Sequence, residues 1–212
     1  MNRQTLLMLW TVQLDFVKIY PMKPCVFIAA LLPLVGGCLG TAPKAPKTWS
    51  VEWTNSAVER VERAKMPAVK LLLVDVRAPY NGNRLAVLRA DGSIAFDSFN
   101  SFAAQPAAIL RGAAFDALEA SGAFERVVSG SSVAITPLSA EITVNRLALD
   151  CRKSNQRDAS VSLSLVIVSN RTVVASASAE ASAAVEGGDY STAFSKAFED
   201  ALLSAVGSID VR

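Results

Sequence analysis

Hydrophobic and polar positions alternate with period two over much of the C-terminal half. From Ser160 to Val168, Val161, Leu163, Leu165 and Ile167 fall on one face and Ser160, Ser162 and Ser164 on the other. Thr172 to Ala183 repeats the pattern, with Val173, Ala175, Ala177, Ala179 and Ala181 opposed to Ser176, Ser178, Glu180 and Ser182. One apolar face and one wet face predict antiparallel strands lying on a core. Asn170-Arg171 supplies the tight connection between them. Glu141 to Cys151 begins in the same style with Ile142 and Val144, then resumes with Leu147, Leu149 and Cys151. The phase slips by one residue at Asn145-Arg146, which predicts a bulge there.

The earlier part is less regular. Trp49, Val51 and Trp53 alternate with Ser50 and Glu52, a short strand. Asn55 to Lys65 is charge-rich, a loop or a surface helix, closed by Pro67. Ala68 to Arg77 reads as a strand, and its run Leu71-Leu72-Leu73-Val74 is apolar on both faces, as a central strand would be. Pro79 to Asn83 is turn chemistry. Arg84–Arg89 and Ile94–Phe99 form a hairpin pair around Asp91-Gly92. A further short strand covers Phe124 to Val128.

Two segments switch to helical spacing. Pro106 stands where a helix accepts proline, in its first turn, and Gly122 provides the left-handed stop after Ser121. Leu110, Ala114, Ala117, Leu118 and Ser121 line one side, with Phe115 beside them. After Gly187-Gly188, Asp189 is placed to cap a second helix whose apolar stripe is Tyr190, Phe194, Ala197, Phe198, Ala201, Leu202 and Ala205. The elements together predict an α+β fold over residues 49–212: an antiparallel-rich β-sheet with two helices packed on one face.

The N-terminus obeys a different logic. Met22-Lys23 is followed by fourteen uncharged residues, Pro24 to Gly37, and Cys25 to Leu32 is continuously apolar. A membrane-spanning helix needs about 20 apolar residues, so the run is short for one. A basic start, a brief apolar stretch and small residues at its end describe an export signal over residues 1–37, with the translation start at Met1 or Met22. Its end, Leu34-Val35-Gly36-Gly37-Cys38, matches the lipobox pattern: an aliphatic residue, small residues that let the signal peptidase reach the backbone, then a cysteine. Cys38 is thereby the expected site of lipidation, palmitate included, and the mature N-terminus; Cys25, preceded by Lys-Pro, lacks the pattern. Residues 38–48, with Pro43 and Pro46, read as a tether reaching about 30 Å when extended. Several acyl chains hold a protein on a bilayer almost permanently, at about 0.8 kcal/mol per buried CH₂. Leu39, rather than Asp, follows the lipid cysteine, which by analogy with bacterial sorting favours the outer over the inner membrane, facing the periplasm.

Charge and composition then narrow the chemistry. Of the 212 residues, 21 are Lys or Arg, 19 Asp or Glu and none His. From Cys38 onward the chain carries 18 basic and 18 acidic residues; with no net charge, nucleic acid is not an expected partner. Without His a Ser-His-Asp triad is impossible. No CxxC, HExxH or GxxxxGK motif occurs, so no metal, cofactor or enzymatic activity is expected. Ser195-Lys196 are neighbours, but adjacent helix residues point in different directions. Asp75 and Asp97 read as solvated strand residues unless the sheet brings them together. Cys151, the only other cysteine beyond Cys38, reads as a small hydrophobe on a buried strand face.

From residue 69 onward the chain resembles the ABC-type transport auxiliary lipoproteins, which accompany MCE-type lipid transport systems of Gram-negative envelopes. The likeness is carried by Val74-Asp75-Val76-Arg77-Ala78-Pro79, by Tyr80-Asn81-Gly82-Asn83-Arg84-Leu85, by Asp97-Ser98-Phe99-Asn100-Ser101-Phe102-Ala103, and by Phe124-Glu125-Arg126-Val127-Val128. These are loose patterns without catalytic signatures, and Phe102 stands where the family usually has Trp. The resemblance implies a non-enzymatic, lipid-anchored accessory subunit working with an MCE-domain protein, a permease and a cytoplasmic ATPase while phospholipid or a related lipid moves between membranes. Tyr80, Asn81, Gly82, Asn83 and Arg84 are either an ordinary polar connection or a loop that docks a partner. Trp49 and Trp53 are either edge-strand core or a binding patch. The serine-rich face of residues 160–182 is either solvated sheet or a contact between subunits of a homo-oligomer. A different binding module, an outer-membrane lipoprotein that activates a peptidoglycan synthase, is the alternative, though a tether this short could not cross the periplasm.

Overall fold

The computed structural model describes residues 45–53, 66–153 and 156–209, within one compact unit spanning Ala45–Arg212. The export signal, the lipobox residues Leu34 to Gly37, Cys38 and most of the tether lie outside the described residues.

The period-two segments form a long meander of β6 (Leu138–Asp150), β7 (Asp158–Ser169) and β8 (Thr172–Ala184), paired antiparallel throughout. Asn170 and Arg171 turn the chain between β7 and β8 with positive φ, 48° and 66°. The bulge expected at Asn145-Arg146 is present, the register slipping between Val144 and Arg146. Ile142, Leu147, Leu163, Leu165 and Ile167 all face inward and are sealed from solvent.

The remaining strands are β1 (Lys47–Trp49), β2 (Val69–Val76), β3 (Arg84–Leu88), β4 (Ile94–Phe102) and β5 (Val127–Ser129). They correct the expectation of an antiparallel-rich sheet. β1 pairs parallel with β4, β2 with both β5 and β6, and β3 with β6; β3–β4 is the antiparallel exception. The eight strands form one mixed sheet, still α+β overall. The local alternation of a strand reports which face is buried but not which way its neighbour runs; direction follows from the connection, here the passage through β4 and α1 that returns the chain to the far side of β2.

Helices α1 (Pro106–Ala120) and α2 (Tyr190–Ser208) cover one face. α1 lies on β2 and β5, α2 on β7 and β8, and the two pack on each other. Pro106 opens α1, and Gly122 follows it at φ 65°, as the stop signal required. Asp189 caps α2 by accepting the N–H of Thr192. The core between sheet and helices is centred on Phe194, Phe198, Leu110, Leu118 and Leu202, each no more than 1% exposed.

Local differences have physical causes. β1 comprises Lys47–Trp49 rather than Trp49–Trp53, because Lys47, Thr48 and Trp49 pair with Asn100, Ser101 and Phe102; the last tether residues are thus drawn into the sheet. β5 starts at Val127, while Phe124 makes a lone parallel bridge to Met66. Cys151 lies one residue past β6 and is half-buried rather than sealed; burial pushes its thiol pKa up.

A candidate interaction surface at the fork of the sheet

β6 is long enough to serve two partners along one edge. Leu138–Val144 pairs with β2, and Ala148–Asp150 with β3, while the other edge is occupied by β7 along nearly its whole length. Since β2 and β3 both run parallel to β6, they lie end to end, interrupted by the excursion Arg77–Asn83. The Asn145 bulge sits on β6 at this interruption, and the Arg77 N–H donates to the Val144 carbonyl beside it. Beyond the fork one arm carries β2 and β5, the other β3, β4 and β1.

The expected docking loop is this excursion. Its turn is closed by Tyr80 N–H on the Arg77 carbonyl, and the Ala78–Pro79 bond is cis. Asn81, Gly82, Asn83 and Arg84 are exposed. Tyr80 is half-buried and packs on a small second cluster of Ala86, Leu88 and Ala148, on the face away from the helices. The Arg84 side chain donates to the carbonyls of Phe96 and Asp97, and its guanidinium carbon lies 5.7 Å from the Phe96 ring centroid. Of the expected docking residues, Tyr80 and Arg84 are therefore held by neighbours, and Asn81 to Asn83 project.

Several residues that sequence reasoning missed surround the loop. Phe96 and Ile94 pair across from Ala86 and Leu88, so they share the face of the second cluster, and each is 39% exposed. In β4 the register slips between its pairings with Arg84 and Ala86. The Asp97 carboxylate holds the displaced segment, accepting from the N–H groups of Phe99 (2.7 Å) and Asn100 (2.9 Å) and from the Asn100 side chain. Asn100 in turn accepts from Trp49 Nε1 at 3.0 Å. Asp at the first position of such a segment is a turn signal that could have been recognised. Phe99 is left 47% exposed. On the other arm, Leu72 and Leu73 are 51% and 43% exposed, because a register shift between Leu71 and Leu73 turns them outward. The apolar run of β2 is thus central in pairing but uncovered on its second face, contrary to the expectation.

The same face changes character across β6–β8. Asn145 donates to Ser164 Oγ, Ser164 Oγ shares a hydrogen bond with Ser178 Oγ, Arg146 donates to Ser160 Oγ, and Arg146 is paired with Glu180. The serine face is therefore a cross-strand polar ladder.

Other candidates are separated by the fold. Asp75 on β2 and Asp97 on β4 lie on different arms. Ser195 is buried and accepts the Glu52 N–H, whereas Lys196 is exposed. Trp49 is half-buried, edge-on to Tyr190 with centroids 5.2 Å apart; Trp53 packs on the core. Among the described residues no group of acidic or cysteine side chains has the clustering of a metal site, and no helix is long and apolar enough to cross a membrane.

No family model matches the chain, and no curated protein matches it in sequence. Solved structures do. A crystal structure of a Xanthomonas campestris protein of the DUF330 family superposes with a TM-score of 0.51 at 20% identity, covering 76% of this chain and 87% of that one. A crystal structure of an uncharacterised protein gives a TM-score of 0.54 at 12% identity, covering 76% and 95%. At these identities the likeness is one of architecture: the chain shares its mixed sheet with two helices with a DUF330 protein.

Proposed function

We propose that this chain is a non-enzymatic, lipid-anchored accessory subunit, facing the periplasm, of an ABC/MCE-type system that moves phospholipid or a related lipid between membranes. One observation supports the reading most. The segments that carry the family resemblance, 74–85 and 97–103, are separate in sequence yet meet at the fork. Asn83 accepts the N–H of Phe102, and Arg84 grips β4 at Phe96 and Asp97. The shared pattern thus describes one surface, with Asn81 to Asn83 projecting and Phe96 and Phe99 exposed on the adjoining β4. An exposed apolar patch rimmed by polar residues is the usual mark of a protein contact. The lipobox at Leu34 to Cys38 supplies the anchor, with the outer membrane as the proposed location.

Affinity capture of the full-length lipidated protein tests this. Recovery with an MCE-domain protein, a permease and an ATPase, lost in an Asn81→Ala/Asn83→Ala variant, is the expected result. Recovery with peptidoglycan synthases would replace the proposal with an envelope-synthesis role. Cys38→Ala should abolish membrane retention while the domain stays folded; retention of that variant on the bilayer would remove the anchor from the proposal.

A further inference from the structure

β5 and β6 both pair with the segment Val69–Leu71 of β2, hence on its two opposite edges, and residues 130–137 carry the chain across β2 between them. α1 occupies the inner face of β2 and β5. The connection therefore crosses the open face. There the Lys70 ammonium, set between the inward-facing Val69 and Leu71, donates to the Ser132 carbonyl at 3.0 Å. Gly130 lets the crossing run close, since a Cβ at that position would stand 2.7 Å from the Leu71 carbonyl oxygen. The strap is also braced within itself. Ser132 N–H donates to the Ser129 carbonyl, Ala134 N–H to Ser132 Oγ, and Thr136 Oγ1 to the Leu138 carbonyl. On this pinned backbone Val133 and Ile135 are 99% and 98% exposed. Two aliphatic side chains held fully in water by an ordered strap have no role in the packing of their own domain.

We infer that the crest of this strap, Val133 to Ile135, dips into the surface of a phospholipid bilayer and gives the domain a second membrane contact beside the acylated Cys38. The inference rests on the anchored reading above for the nearness of the membrane: a tether of about 30 Å keeps the domain beside the bilayer but fixes no orientation. Stable attachment of a peripheral protein usually combines two such signals.

The composition favours lipid over a protein partner. Val127 to Ala140 is fourteen residues without a charge. The crest offers aliphatic side chains flanked by Ser, Ala and Thr, and none of the Trp, Tyr or Arg anchors that concentrate energy in protein interfaces. Small hydroxyl side chains already bonded to the strap backbone suit the headgroup layer, where water still reaches them. Leu72, exposed on the same face of β2, extends the apolar surface. Glu141 stands level with Leu73, and Asp75 lies beyond it. Those carboxylates confine the contact to the strap end of the face and keep the insertion shallow.

The acylated mature protein, added to vesicles of phosphatidylethanolamine and phosphatidylglycerol, provides the test. In a Cys151→Ala background, Val133→Cys carries a nitrobenzoxadiazole fluorophore. Its emission should shift to the blue on the vesicles and be quenched by lipids spin-labelled near the headgroup. The same label at Lys196→Cys, exposed on α2, should stay water-like and unquenched. Val133→Asp/Ile135→Asp should leave the urea midpoint unchanged, because neither side chain is buried, while the Lys196→Cys label loses anisotropy as the domain swivels on its tether. A water-like Val133→Cys label overturns the inference, as does anisotropy indifferent to the double aspartate variant. A blue shift that grows with protein density and ignores the spin-labelled lipid also overturns it, in favour of a protein contact. The mass of the N-terminal peptide reads the anchor separately: an unmodified Cys38 beside a lipid-quenched strap would remove the anchor and leave this contact standing.

Discussion

The Ser195 hydroxyl, buried on α2, accepts the backbone N–H of Glu52 at 3.0 Å, joining residues 143 positions apart. One turn earlier, Ser191 donates to the Ser50 carbonyl. Val51 is buried between these bonds, and Trp49 meets Tyr190 edge-on. The chain leaving β1 is thus stitched along α2 by two helix serines spaced four apart, on one helix face. Ser195→Ala should destabilise the domain by about 1 kcal/mol and speed hydrogen exchange at the Glu52 amide. A urea titration with exchange read by mass spectrometry checks both; unchanged exchange would mean that the bond contributes nothing in solution.

Asp97 organises the displaced segment of β4 through three hydrogen bonds, and the Trp49 indole reads the same segment through Asn100. Hydrogen bonds to an ionised group are worth about 1.5–3 kcal/mol when shielded and less on a half-exposed strand, so Asp97→Ala is expected to cost about 1–2 kcal/mol. Trp49 loses its ordered partner in the same variant. The tryptophan emission should shift, and a spectrum identical to wild type would contradict the linkage.

Phe102 and Phe194 lie edge-to-face with centroids 5.6 Å apart, both within the core. Removing Phe194 leaves a cavity that neither β4 nor α2 can collapse into, since each is tied to other neighbours. Phe194→Ala should cost about 3–5 kcal/mol, measured by chemical denaturation. A loss below ~1 kcal/mol would show that the site relaxes.

The Asp189 carboxylate accepts from Thr192 N–H at 3.1 Å and from its hydroxyl at 2.7 Å. The Thr192 side-chain bond, then the backbone bond, hold its pKa below the ordinary carboxylate value. A carboxylate with a depressed folded-state pKa stabilises the fold above its unfolded-state value and loses that contribution as pH falls through the folded one. The melting temperature of Asp189→Ala should therefore trail wild type by a constant margin from pH 8 to pH 5, converging below about pH 4. A margin independent of pH down to pH 2 would assign the cap to something other than the charge.

Much of this architecture is legible in the residues. Gly122 and Asp189 mark helix boundaries because a left-handed stop and an N-cap each demand a particular backbone or side chain. The Asn145–Arg146 slip is legible because a bulge shifts the hydrophobic phase by one residue, and the phase is written in the side chains. At the candidate surface, the turn at Pro79 to Asn83 was readable, but not its position between two collinear strands. The exposure of Leu72, Leu73, Phe96 and Phe99 was hidden as well, since an apolar side chain reads the same whether its face is covered or open.

By itself, then, the sequence determined the two helices, their boundaries and the inward faces of β6 and β7, all properties of residues and near neighbours. Only the tertiary structure decided that β2 and β3 run parallel to β6, that the family-like segments converge at a fork, and that β8 pairs with β7 alone among the described residues. Those depend on which distant segments meet, and strand pairing through identical backbone groups leaves almost no local mark of its partner.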